Sequence, residues 1–405
     1  MTEGTDLIVR IAARGDGVTA DGRHAAFAAP GDRLDADGRV HPGPHHAVPP
    51  CRHFPTCGGC TLQHVDDTAY AAFVADRITG ALLAQGVKPP PFAPTHVSPP
   101  RSRRRASLRA EKRGRRVLIG FNEGSSHRIV DMTECHILAP ELFALVAPLR
   151  DLLGTLLDDK KGADVGMTLI DQGVDLALGK VTADSLAAAE ALTDFAQQFA
   201  LARLTLDDGY GPQTRWEPEP ATITLGGAAV PLPPGSFLQA TADGEAALVA
   251  AVREATAGAT RVADLFAGLG TFALSLPGKV YAAEAGRDAV LALKAAAGIA
   301  GRTMLVEHRD LYRRPVTASD LDRFEAVILD PPRAGAAEQV AQIALCSVPR
   351  LAYVSCNPSS FARDAKFLIE AGYALERITP VGQFRWSTHV ELCGSFVRQN
   401  SASRA

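Results

Sequence analysis

Apolar and polar positions follow two different rhythms along this chain, and the change falls near residue 236. Before it the signals are mixed. Leu7 to Ile11 alternates weakly and is followed by turns at 14–17 and 30–32, the pattern of a small β-unit. A linker rich in His and Pro covers 41–50. Tyr70, Phe73, Val74, Ile78, Leu82 and Leu83 recur at helical spacing and predict a helix over 68–85. Prolines break the chain across 89–100. Residues 101–131 read as paired strands, 139–157 as a helix, and 165–235 as mixed strands and short helices closing in a Pro/Gly-rich stretch.

From Phe237 onward, helix and strand alternate. An Ala-rich helix at 244–255 precedes short apolar strands at 261–266, 279–284, 324–330 and 350–355, with helical segments between them. This is the pattern of an α/β fold whose parallel sheet is covered on both faces. Two late runs, 374–379 and 388–397, predict an antiparallel pair at the sheet edge.

A length of 405 residues suggests two or three domains. Hydrophobic residues at 46% and charged residues at 21% exclude a disordered or collagen-like chain. No apolar run is long enough to span a bilayer, and residues 1–16 lack the charged head and apolar block of a secretory signal. A cytoplasmic protein with no membrane association is expected. The net charge of −3 excludes a generally basic nucleic-acid binder. Against that background the run 101–116 stands out, with nine Lys/Arg and the single acidic residue Glu111. The run, with Arg103, Arg104 and Arg105 in it, fits contacts to phosphates, with a solvated charged hairpin as the competing reading.

Seven cysteines are present, and three of them, Cys51, Cys57 and Cys60, fall within ten residues. Cys135 lies far downstream in Thr133-Glu-Cys-His136. In a reducing compartment such a cluster reads as a metal or cofactor site before it reads as disulfides. Four thiolates suit a [4Fe–4S] cluster, and zinc is the alternative, with His53, His64 and His136 able to substitute. Cys346 and Cys393 sit in apolar contexts and read as buried structural residues.

Three turns of the second half carry candidate chemistry. Asp264-Leu-Phe266-Ala-Gly268-Leu-Gly270-Thr271 follows a strand and opens a helix, as a nucleotide-type ligand requires. Glu284 ends the next strand, where a carboxylate suits a ribose, and Asp310 follows where it could flank an adenine. Asp330-Pro-Pro-Arg333 and Ser355-Cys356-Asn357-Pro358 each lie just past a buried strand, at the edge where open α/β sheets bind ligands. A cysteine there is a candidate nucleophile. Glu391, in His389-Val-Glu391, is a late carboxylate.

These motifs, with Phe237-Leu-Gln239-Ala-Thr241, resemble in order the RNA 5-methyluridine methyltransferase family over 236–405. The departures are Thr241 for Asn, Ala267 for Cys, Gly382 for Asp, and Arg385-Trp386 for Pro-His. The resemblance implies a Rossmann-like class I methyltransferase domain that uses S-adenosylmethionine. It implies Cys356 as the nucleophile that adds to uracil C6 and Glu391 as the base that removes the C5 proton. Gln239 and Asp330 would line the cofactor and base pocket. Phe266, Gly268, Gly270, Thr271, Glu284 and Asp310 would contact the cofactor.

Within that family the ribosomal-RNA branch resembles this cysteine spacing and holds an iron–sulfur cluster. Cys51, Cys57, Cys60 and Cys135 would then be its ligands, and a uridine of 23S ribosomal RNA the substrate. The expected organisation is a short TRAM-like RNA-binding β-barrel (1–47), a central cluster-bearing domain (48–235) and the methyltransferase domain (236–405), as a monomer. Three other readings stand beside this one: the same reaction on transfer RNA, a non-catalytic iron–sulfur RNA-binding protein, and a nicotinamide oxidoreductase.

Overall fold

Alternation of buried side chains along the late apolar runs produces one eight-stranded sheet. A computed structural model describes residues 6–399; residues 1–5 and 400–405, the outer ends of the first and last expected segments, lie outside the described residues. The strand order is Met304–His308, Lys279–Glu284, Arg261–Leu265, Ala326–Leu329, Arg350–Ser355, Glu391–Arg398, Tyr373–Gly382 and His96–Val97. The first five are mutually parallel. Glu391–Arg398 runs antiparallel between Arg350–Ser355 and Tyr373–Gly382. The late pair is therefore not the edge. That place is taken by His96–Val97, from the first half of the chain, parallel to Tyr373–Gly382.

The two faces are covered by different helices, as period-2 strands in a buried sheet require. Val262, Val280, Ile328 and Val354 face helices Ala242–Ala255 and Arg287–Ile299. Leu265, Val327, Leu351 and Tyr353 face Ala337–Leu345, Pro358–Glu370 and, from the first half, Asp67–Ala84. Among the described residues no helix is long and apolar enough to cross a membrane.

A second, six-stranded sheet has the order Gln213–Trp216, Arg203–Asp207, Gly173–Gly179, Gly162–Ile170, Arg105–Arg113, Arg116–Gly120. Leu108, Ile119, Val165, Leu176 and Leu204 on one face meet Leu149 and Leu153 of helix Val146–Leu156 and Phe195 of helix Leu186–Gln198. The helix expected at 139–157 is two helices, Pro140–Ala144 and Val146–Leu156. Pro148 has no N–H for the carbonyl of Ala144, so one continuous helix cannot form through it.

The first segment forms a three-stranded sheet, Ile8–Ile11, Gly17–Thr19 and His24–Ala25, and a two-stranded one, Arg33–Leu34 and Val40–His41. A bridge between Leu7 and Arg33 joins them. Its core is small: Ile8, Ala25, Ala28 and Leu34. Buried Asp32 organises the turn by accepting from the N–H groups of Ala29 and Gly43, each at 2.7 Å.

Candidate active site

The parallel strands end in a row of loops, and the strand order reverses between Arg261–Leu265 and Ala326–Leu329. That crevice is where open α/β sheets bind ligands. Phe266 takes φ +65°, and Gly268 and Gly270 take +54° and +93°, so the chain turns back sharply on itself. The Glu284 carboxylate braces this turn, accepting from the N–H of Gly268 (2.9 Å) and of Gly286 (2.6 Å). Asp264 lies fully buried beneath and accepts from the Ala273 N–H at 2.8 Å. Burial, then the nearby Asp330 carboxylate, pushes its carboxyl up to about 8.

Asp310 accepts from the N–H groups of Tyr312 (3.0 Å) and Arg313 (3.3 Å), which sets the Tyr312 ring 5.5 Å from that of Phe266. Thr271 is half-buried beside the turn. The structure thus brings Phe266, Gly268, Gly270, Thr271, Glu284 and Asp310 to one end of the sheet.

The second group lies one strand over. Asp330 follows Ala326–Leu329, Cys356 follows Arg350–Ser355, and Glu391 opens the strand beside it. Asn357 holds the Cys356 turn in place. Its Oδ1 caps helix Pro358–Glu370 through the Ser359 N–H (3.1 Å), while its Nδ2 donates to the Arg333 carbonyl (2.9 Å). Burial raises the Glu391 carboxyl to about 8, helped by Asp330 and opposed by Gln383 and Arg333. Burial, then Glu391 and Asp330, pushes the Cys356 thiol up to about 11, with Arg333 acting the other way. These charges interact, so the thiol, the two carboxyls and the guanidinium share one site.

Gln239 joins this group from outside the sheet. Its Oε1 accepts from Gln383 Nε2 at 2.7 Å, and Gln383 Oε1 accepts from the Ala240 N–H at 2.9 Å. Two residues given no role from sequence, Arg333 and Gln383, are therefore part of the centre. Arg333 closes the Asp330-Pro-Pro-Arg333 motif and Gln383 directly follows Gly382, which was the available signal.

Of the three arginines expected to meet phosphates, Arg104 is turned inward, while Arg103 and Arg105 lie partly exposed over aromatic rings. Arg104 is buried; it donates to the Gln239 carbonyl (3.1 Å) and pairs with Glu245 at 2.6 Å. The Arg103 guanidinium lies over the rings of Phe121 and Phe384, 5.9 and 5.5 Å from their centroids. Arg105 lies 5.3 Å over Phe237. A local charge excess cannot show that its partners are internal.

Cys51, Cys57, Cys60 and Cys135 line a single small cavity with Phe54, Phe121 and Met132. All four are free thiols, and burial raises each of them. Among the described residues no three His, Cys, Asp or Glu stand close enough to share one metal ion. Four thiolates on one zinc need sulfurs within roughly 4 Å of one another, given Zn–S bonds of about 2.3 Å. In a four-iron cluster each thiolate binds a different iron, so the sulfurs stand further apart. Four thiols lining one mostly apolar cavity are a donor set that a [4Fe–4S] cluster could use.

The chain is similar to known RNA methyltransferases. The family model described as tRNA (Uracil-5-)-methyltransferase matches residues 302–400. A Zymomonas mobilis protein named "uncharacterized RNA methyltransferase" is 51% identical over 393 residues, covering 96% of this chain and 99% of its own. A 23S rRNA (uracil(1939)-C(5))-methyltransferase of Pectobacterium atrosepticum is 31% identical over 387 residues, covering 90% of this chain and 83% of its own. The crystal structure of Pyrococcus abyssi tRNA (uracil-54, C5)-methyltransferase with S-adenosyl-L-homocysteine shares the fold. It covers 98% of this chain and 100% of its own with a TM-score of 0.77, at 22% identity.

Proposed function

The chain belongs to the uracil-C5 RNA methyltransferase family, and from that premise we propose that it methylates C5 of a uridine in 23S ribosomal RNA through a covalent bond from Cys356 to C6. The observation that carries this reading is the meeting of Cys356, Glu391, Asp330 and Arg333 at the C-terminal end of the parallel strands. The 31% identity to a 23S ribosomal RNA enzyme supports the choice of RNA. The whole-length likeness in fold to a transfer-RNA enzyme keeps the same reaction on transfer RNA as the second reading.

The Gly268–Gly270 turn, Glu284 and Asp310 would hold S-adenosylmethionine, which would supply an electrophilic methyl group. Uracil C5 is a weak nucleophile. Cys356, as thiolate, adds to C6, and the electron pair displaced toward C5 and O4 lets C5 take the methyl group as the sulfonium S–CH3 bond breaks and S-adenosylhomocysteine leaves. Glu391 as carboxylate then removes the C5 proton, the C5–C6 double bond reforms, and the thiolate leaves. Arg333 favours the anionic forms of both groups. Gln239 and Gln383 fix the wall of the base pocket.

Cys51, Cys57, Cys60 and Cys135 would hold a [4Fe–4S] cluster with a structural role, and the N-terminal β-unit would serve as an RNA-binding module. Mass mapping of ribosomal and transfer RNA from cells with and without the gene tests the reading. Loss of one or more 5-methyluridines from 23S ribosomal RNA is expected. Loss from transfer RNA alone replaces it with the second reading, and no loss from either overturns both.

A further inference from the structure

The segment between Gln383 and Glu391 is held almost entirely from outside its own sheet. Trp386, at its tip, takes φ +58°, a left-handed conformation costly for a large side chain and kept only where surroundings enforce it. The enforcing contacts come from the cysteine region. The N–H groups of Thr61 and Leu62, just past Cys60, both donate to the Trp386 carbonyl, at 2.7 and 2.9 Å. The Tyr70 hydroxyl donates to the carbonyl of Phe384 at 2.9 Å and lies 3.2 Å from that of Ser387. Arg385 pairs with Asp67 and donates to the Ser98 carbonyl at 3.0 Å.

Arg103 stands at the junction. Its backbone is bonded to the strand of chain following Cys135: its N–H donates to the Ile137 carbonyl, and its own carbonyl accepts from the Ala139 N–H, both at 2.9 Å. Its side chain spans from Phe121, which lines the cysteine cavity, to Phe384 in the segment, whose ring lies 5.6 Å from His389. Its Nε donates to the Arg105 carbonyl at 3.0 Å, and it makes no carboxylate ion pair among the described residues.

We propose that Arg103 is a positioning residue that couples the four-cysteine site to the 383–390 segment and so sets the placement of Gln383 and Glu391 for the reaction. The cysteine site then acts on catalysis through the shape of this segment, not through electron transfer. The inference rests on the proposed methylation and extends it.

The test compares wild type with Arg103→Met and Arg103→Lys. Methyl transfer to an unmodified 23S ribosomal RNA transcript is measured, together with amide hydrogen exchange across the chain. Arg103→Met is expected to lower kcat roughly 10–100-fold, the scale of a sub-ångström to ångström misplacement, with the KM for RNA within about twofold. Exchange should quicken at 383–390 and stay unchanged in Arg350–Ser355. Arg103→Lys, which keeps the charge, should recover much of kcat.

A folded Arg103→Met with wild-type kcat overturns the proposal. So does a rise in KM at unchanged kcat, which would make Arg103 an RNA contact. Should Arg103→Met not fold, Arg103→Gln carries the same expectations and the same refutations. A wild-type protein that transfers no methyl group to this transcript or to transfer RNA refutes the functional reading itself, an outcome distinct from an active wild type with an equally active variant.

Discussion

Ser355 faces Leu392 in the antiparallel register of two neighbouring strands, so Cys356 and Glu391 are the residues next to the last paired position at that end of the sheet. In the proposed reaction both groups act on one uracil ring, the thiol at C6 and the carboxyl at C5.

The two groups must therefore fail differently when removed. Cys356→Ala should bind RNA yet form no bond to it. Glu391→Gln should add, transfer the methyl group and stall, leaving a protein–RNA band that survives a denaturing gel. Wild type given 5-fluorouridine RNA and S-adenosylmethionine should stall the same way. A band that persists in Cys356→Ala would move the nucleophile to another cysteine.

The pH profile follows from two raised groups. Below about 8 the Glu391 carboxyl holds its proton and cannot accept another. Below about 11 most of the Cys356 thiol is not thiolate. Both changes favour the reaction as pH rises, so kcat/KM should climb steadily from pH 6, more steeply below pH 8 than above, with no falling limb before the RNA or fold fails. Glu391→Asp should move the bend, and a bell-shaped profile centred near neutrality would contradict these assignments.

Arg104 should matter to stability and not to salt. Its ion pair with Glu245 is buried, and removing one partner leaves an uncompensated charge, a loss of about 3–5 kcal/mol. Arg104→Ala should thus melt far lower than wild type. The slope of log affinity for RNA against log salt should stay as it was, because no phosphate contact is lost.

Gly270 is required by both backbone and space. Its φ is +93°, and a Cβ there would run into Leu293 Cδ1. Gly270→Ala should cost about 1–3 kcal/mol by overpacking and weaken S-adenosylmethionine binding in calorimetry. Unchanged binding would detach the turn from the cofactor.

Protein prepared without oxygen should be brown, with a broad visible band, because Cys51, Cys57, Cys60 and Cys135 share one cavity. Cys60→Ser should reduce both colour and melting temperature. Colourless protein with one equivalent of zinc would replace the cluster assignment.

Elements whose signal is local were legible in the sequence. The strands Lys279–Glu284 and Arg350–Ser355 lie where their apolar runs end in charge or turn residues, and Cys356 announced itself by its Ser-Cys-Asn-Pro turn. What was not legible depends on partners far away in the chain. Nothing near Arg104 indicates Glu245, and nothing in His96-Val97 indicates a strand beside Val381 and Gly382. Two residues carry too little periodicity to register as a strand at all.

That late-found edge strand also bears on how the chain is made. Helix Asp67–Ala84 and strand His96–Val97 leave the ribosome well before Tyr373–Gly382, the strand that His96–Val97 pairs with. At synthesis rates of about 5–20 residues per second, Tyr70, Phe73 and Ile78 wait many seconds for the surface that buries them. The nascent first half must keep that apolar stripe out of other contacts until the last strands arrive, which makes its folding the business of the cell's holding machinery as well as of its own sequence.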